Sequence, residues 1–179
     1  MTSTYVAMLR GVNVSGRNKL TTPDLQKLVV AAGGKDVRTY IQSGNAVFTS
    51  DGRAPDIVRS LEKTLEDMLG TTVPVLLRSK KDLDLVIGKN PFVRRGADLG
   101  ILHVTFMATA PRAADVRGAL ERQDDGDEFV VVGREVYLRC PNSYGRTKLT
   151  NTFFEKKLGS SATTRNWKTV NKLAEMAAR

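Results

Sequence analysis

Two β-rich runs, Val37 to Gln42 and Asn45 to Thr49, are separated by only Ser43-Gly44. Glycine accepts the positive φ that a tight two-residue connection demands, so the pattern predicts an antiparallel hairpin. This hairpin constrains everything around it. Before it comes a short apolar run, Tyr5 to Leu9, that reads as a buried strand. It is followed by the loop Arg10-Gly11-Val12-Asn13-Val14-Ser15-Gly16. A helix is expected from Thr22-Pro23, with Leu25, Leu28, Val29 and Ala32 at helical spacing and Gly33-Gly34 as its stop. After the hairpin, Pro55 opens a helix placing Ile57, Leu61, Leu65 and Met68 on one face, and Val73 to Leu77 reads as a fourth strand. The first half therefore predicts the order βαββαβ.

The second half repeats this order behind an extra helix, which Ser79 caps and Asn90-Pro91 breaks. Ile101 to Met107 predicts a strand, and Pro111 opens a helix carrying Val116, Ala119 and Leu120. Phe129 to Val132 and Glu135 to Leu138 form a second hairpin across Gly133-Arg134. Beyond the loop from Cys140 to Arg146, two helices are expected, at about 147–158 and 163–178, in place of a closing strand. The expected fold class is α+β, with two ferredoxin-like subdomains in tandem and two extra C-terminal helices. The expected division is a subdomain over 1–79, a second over 80–142, and a basic helical pair over 143–179 packed on the second.

The chain of 179 residues carries 28 Lys and Arg against 19 Asp and Glu, a net charge of +9. Its 41% hydrophobic and 26% charged residues fit a globular protein rather than a disordered or membrane-spanning chain. The excess is uneven. Residues 140–179 hold eight basic residues and two acidic ones, whereas residues 80–139 are neutral. Such a local excess attracts phosphorylated small molecules or nucleic acid. No targeting segment is visible at Met1-Thr2-Ser3-Thr4-Tyr5, and no apolar run approaches the roughly 20 residues that span a bilayer. A cytoplasmic location without a membrane partner is expected. With one Cys (Cys140) and one His (His103), the chain can form no intrachain disulfide framework, no Cys-rich zinc site and no catalytic pair of histidines. No metal or cofactor is expected.

Four segments carry polar residues and glycines that a core does not need: Leu9 to Gly16, Thr39 to Asn45, Tyr144 to Asn151, and Ala162 to Val170. Together they resemble the bacterial family catalogued as domain of unknown function 1697. Its opening is LRGINVGG-like, its hairpin TYIQSGN, and its two later segments GxxKLTN-like and TxRNWxTV. This chain departs from the opening at Val12 and Ser15. The resemblance implies two ferredoxin-like subdomains and no assigned activity.

Candidate ligand-binding residues come from the same segments. In the first loop they are Arg10, whose guanidinium forks toward anions, and Asn13. At the hairpin tip they are Ser43 and Asn45. Around the expected helix start near residue 147 they are Tyr144, Arg146 and Lys148, and around the last they are Arg165, Asn166 and Lys168. Cations in the first turn of a helix oppose its dipole, and an anionic ligand would offset that cost. Arg146, Lys148, Arg165 and Lys168 are accordingly expected around one cleft, with Arg10 and Asn13 nearby. Each residue also has a structural explanation. Asn13, Ser43 and Asn45 suit turns, and the basic side chains could meet carboxylates from elsewhere in the chain.

His103 reads as a hydrogen-bonded strand histidine, Cys140 as an inert thiol, and Trp167 as core. A helix-turn-helix reading of the two terminal helices would put Glu155 and Arg165 where small or aliphatic residues belong, so it is weak. No catalytic group can be named. The leading expectation is a protein that binds an anionic ligand, phosphorylated or nucleic acid. An enzyme acting on a small phosphorylated or carboxylate substrate, or an interaction module, are the alternatives.

Overall fold

The computed structural model describes residues 1–40, 44–120 and 126–179. The chain divides into two compact units, residues 1–84 with 173–179, and residues 85–172. Each is built around a four-stranded antiparallel sheet.

In the first unit, β1 (Ser3–Leu9) lies between β3 (Asn45–Ser50) and β4 (Val75–Ser79), and β2 (Lys35–Thr39) pairs with β3. The order across the sheet is β2-β3-β1-β4. Helices α1 (Thr22–Ala31) and α2 (Ala54–Leu69) follow β1 and β3. Leu25, Leu28 and Val29 of α1 and Ile57, Leu61 and Leu65 of α2 join Ala7, Leu9, Ala46 and Phe48 in one apolar core. The α1 cap is Thr21, whose hydroxyl accepts from the Asp24 N–H, one residue before the expected cap. Met68, expected on the apolar face of α2, is exposed in the last turn. The other side of the sheet, with Val6, Met8, Val47 and Leu76, is buried as well.

In the second unit, β5 (Leu102–Met107) lies between β7 (Glu135–Arg139) and β8 (Ala162–Asn166), and β6 (Glu128–Val132) pairs with β7. The order is β6-β7-β5-β8. Helices α5 (Ala113–Leu120) and α6 (Asn151–Leu158) follow β5 and β7. Two further helices, α3 (Lys80–Gly88) and α4 (Pro91–Arg94), precede β5, and α7 (Trp167–Ala177) follows β8; α3 and α7 each run across the division between the units.

The segment 162–166 corrects the expectation of a helix from residue 163. It is a strand along β5, with Val104 opposite Arg165 and Thr105 opposite Thr164. β-branched threonines favour a pleated strand, and the capping residue is Asn166, whose Oδ1 accepts from the Thr169 N–H at 2.8 Å. The closing strand is therefore present, and α6 is an integral helix of the second half. Only α7 extends past the repeated order.

The repetition reaches individual bonds. Leu9 and Arg10 donate to the carbonyls of Gly44 and Pro74, and Met107 and Ala108 donate to those of Arg134 and Ser161. Counting from these bonds, Arg78 of β4 and Arg165 of β8 are equivalent. Both are buried, and each donates to the carbonyl of the residue before it at 3.0 Å. No residue-level repeat in the sequence announces this match.

Candidate functional site

The four signature segments meet in pairs, each pair inside one unit. In the first unit, the hairpin glycine Gly44 (φ 76°) lies against the opening segment. A Cβ there would fall 2.4 Å from Val12 and 3.0 Å from Leu9. Asn13, itself at φ 54°, closes the opening loop with its side chain. Its Nδ2 donates to the Leu20 carbonyl and its Oδ1 accepts from the Leu20 N–H, both at 2.8 Å. Asn18 adds a bond from its Nδ2 to the Gly11 carbonyl at 3.0 Å. Arg10 is half-buried. Asn45 is buried and donates to the Tyr40 carbonyl at 3.0 Å. Ser43 lies outside the described residues. The amide side chains that the sequence marks in this unit thus brace its own backbone.

In the second unit, the Tyr144–Asn151 segment runs over the face of the sheet that carries α6. Tyr144 opens a short 3-10 turn, and its ring stacks on His103 of β5 with centroids 4.7 Å apart and planes at 22°. The Thr147 hydroxyl donates to Asp127, and Leu149 enters the core formed by Met107, Phe129, Leu138 and Phe154. At the far end, the Thr164 hydroxyl donates to Asn151 Oδ1 at 2.7 Å. That hydroxyl oxygen also lies 2.7 Å from the Thr105 hydroxyl, which must then be the donor of the pair. With Tyr144, Thr147, Leu149 and Asn151 anchored, Arg146 and Lys148 between them remain exposed.

These positions also correct the helix-start argument. Thr150 caps α6, its hydroxyl accepting from the Phe153 N–H, so Arg146 and Lys148 precede the helix. The basic residues α6 does hold, Lys156 and Lys157, sit in its last turn, where the dipole favours them. Arg165 is in a strand, and of the four cations only Lys168 stands in the first turn of a helix.

Arg165 is buried, with Nη1 donating to the Thr163 hydroxyl at 2.8 Å. Burial pushes its guanidinium down to about 10, and nearby Tyr144 opposes this in part. Asn166 lies opposite His103 across the strand pair. The stack on His103 therefore brings Tyr144 to the end of β8, from which Lys168 follows two residues later. Among the described residues, Arg146 and Lys168 form no ion pair. Arg10 and Asn13 belong to the other unit.

Sequence reasoning set His103 aside. It is half-buried, and desolvation lowers its pKa, against a smaller opposing effect from the Ile101 backbone. Its Nδ1 is buried and has no hydrogen-bond partner among the described residues. Only the stacking partner, remote in sequence, marks it. Cys140 is buried and its thiol is pushed up to about 11, mainly by desolvation, so it is a poor nucleophile. Trp167 is buried. No group of three His, Cys, Asp or Glu side chains able to hold a metal occurs among the described residues. No helix among them is long and apolar enough to cross a membrane.

The architecture is α+β, with two four-stranded antiparallel sheets. The chain belongs to the family described as "Protein of unknown function (DUF1697)", whose profile matches residues 1–137. That match takes in the first two signature segments and ends before the other two. A solved structure covers the remainder. The conserved bacterial protein SP0830 from Streptococcus pneumoniae superposes with a TM-score of 0.81 over 100% of both chains. At 23% identity this likeness shows the fold alone. No curated protein matches the chain.

Proposed function

We propose that the protein binds an anionic ligand on the second unit, at the face formed by Tyr144, Arg146, Lys148 and Lys168. The observation that carries this reading is the Tyr144–His103 stack. It pins a turn bearing two exposed cations beside the strand end that leads to Lys168. The α7 N-terminus contributes less, because Asn166 already accepts one of its free N–H groups. The cations themselves supply the attraction, which salt screens. The imidazole beside them, His103, is covered by the Tyr144 ring, so binding is the favoured role. Catalysis, if the face supports any, would act by charge stabilisation.

We further propose that both halves are ferredoxin-like subdomains, a reading supported by their shared βαββαβ order and strand arrangement. A buried, unpaired cysteine accords with a reducing, cytoplasmic setting.

The test is calorimetric titration with inorganic tripolyphosphate at low ionic strength. Wild-type protein should bind, and affinity should fall as salt rises. An Arg146→Glu/Lys168→Glu variant, altered only at exposed positions, should lose at least about tenfold in affinity, the equivalent of about 1.4 kcal/mol. Equal binding by the variant, or none by the wild type, would overturn the reading.

A further inference from the structure

The anion-binding reading leaves the chemical class of the ligand open. Tyr144 narrows it. Its ring is held by the stack on His103, at 22° between planes, and packs against the rim of the apolar core, and the residue as a whole is half-buried. Burial of the imidazole beneath it favours the neutral form. Two residues along the same turn stands Arg146, exposed and without an ion pair among the described residues. A fixed aromatic platform next to exposed cations suits a ligand with a flat π-face joined to phosphate. Aromatic side chains stack on any base without reading its sequence, and flanking cations follow the phosphates. A sugar phosphate would use the cations and leave the ring idle.

We infer that the ligand of this face is a nucleotide unit, its base laid on the Tyr144 ring and its phosphate held by Arg146 and Lys168. The inference rests on the anion-binding reading and adds the base to it. The unit could be a free nucleotide or one residue of a single strand, since both present the same base and phosphate.

The experiment compares three probes by calorimetry on the full chain: inorganic tripolyphosphate, ATP and a short oligoadenylate. ATP should bind about tenfold more tightly than tripolyphosphate, the preference a single stacked base supplies. Tyr144→Leu, which also unpins the turn, should weaken both ligands and abolish the preference of ATP over tripolyphosphate, whereas Tyr144→Phe, which keeps the ring and its stack, should preserve it. An oligoadenylate tighter than ATP supports the inference and places the unit within a strand. A weaker one supports it as a free nucleotide.

If Tyr144→Leu does not fold, the wild-type Tyr144 ring protons give the same information by NMR. They should shift upfield with ATP and not with tripolyphosphate. ATP binding no better than tripolyphosphate, or an unmoved Tyr144 ring, would overturn the nucleotide inference and leave the anion site standing. Failure of all three probes would remove both.

Discussion

At the residue scale, the polar side chains singled out in the sequence serve two purposes. Asn13 satisfies both backbone groups of Leu20 from a left-handed conformation that asparagine tolerates better than most residues. Asn13→Ala loses both bonds and strains the backbone, so it should destabilise the protein by roughly 1–3 kcal/mol, read from the denaturant midpoint. Asn13→Gly should cost less, because the backbone conformation is retained. His103 gives a pH signature. Its folded pKa lies below the unfolded value of 6.5. The unfolded chain therefore takes up a proton that the folded one resists. Stability is fully present above about pH 6.5 and is lost as pH falls from there through the lowered folded value. Urea midpoints measured from about pH 7 down to pH 5 should fall in the wild type, and His103→Gln should flatten that part of the profile. An unchanged slope would show that His103 is not desolvated by the Tyr144 stack.

At the element scale, the decisive feature is β8. Backbone carbon shifts over 162–166 should be those of a strand, and their exchange should slow where they pair with β5; helical shifts there would contradict the assignment. Gly44 ties the first hairpin to the opening loop. Gly44→Ala meets both a positive φ and the Val12 methyl, and should cost about 2–4 kcal/mol in thermal or chemical denaturation. Most elements were legible because periodicity and punctuation agreed. Pro and Thr opened α1, Gly70 closed α2, and Gly133-Arg134 turned the second hairpin. Segment 162–166 was misread because Thr163-Thr164 before an apolar helical pattern resembles a cap. The actual cap, Asn166, sits at the end of a strand hidden by its polar composition. β8 has Ala162 as its one apolar residue, whereas β4, at the same edge of the first sheet, carries Val75, Leu76 and Leu77 and is legible.

At the scale of the whole molecule, the two units repeat one strand order, yet their signature segments differ in use. In the first unit the Asn13 and Asn45 side chains bond to nearby backbone, and in the second Arg146 and Lys168 stay exposed. The C-terminal concentration of charge pointed to the second unit from composition alone. Which cations share a face was not legible, because it depends on Tyr144 finding His103 across the fold. The central claim is that this face, and not the cationic opening loop, receives an anion. Amide chemical-shift mapping on adding tripolyphosphate tests it most directly. The largest perturbations should fall at 144–148 and 166–168 and weaken with added salt. Perturbations centred on residues 10–19, or spread evenly over surface lysines, would contradict the account.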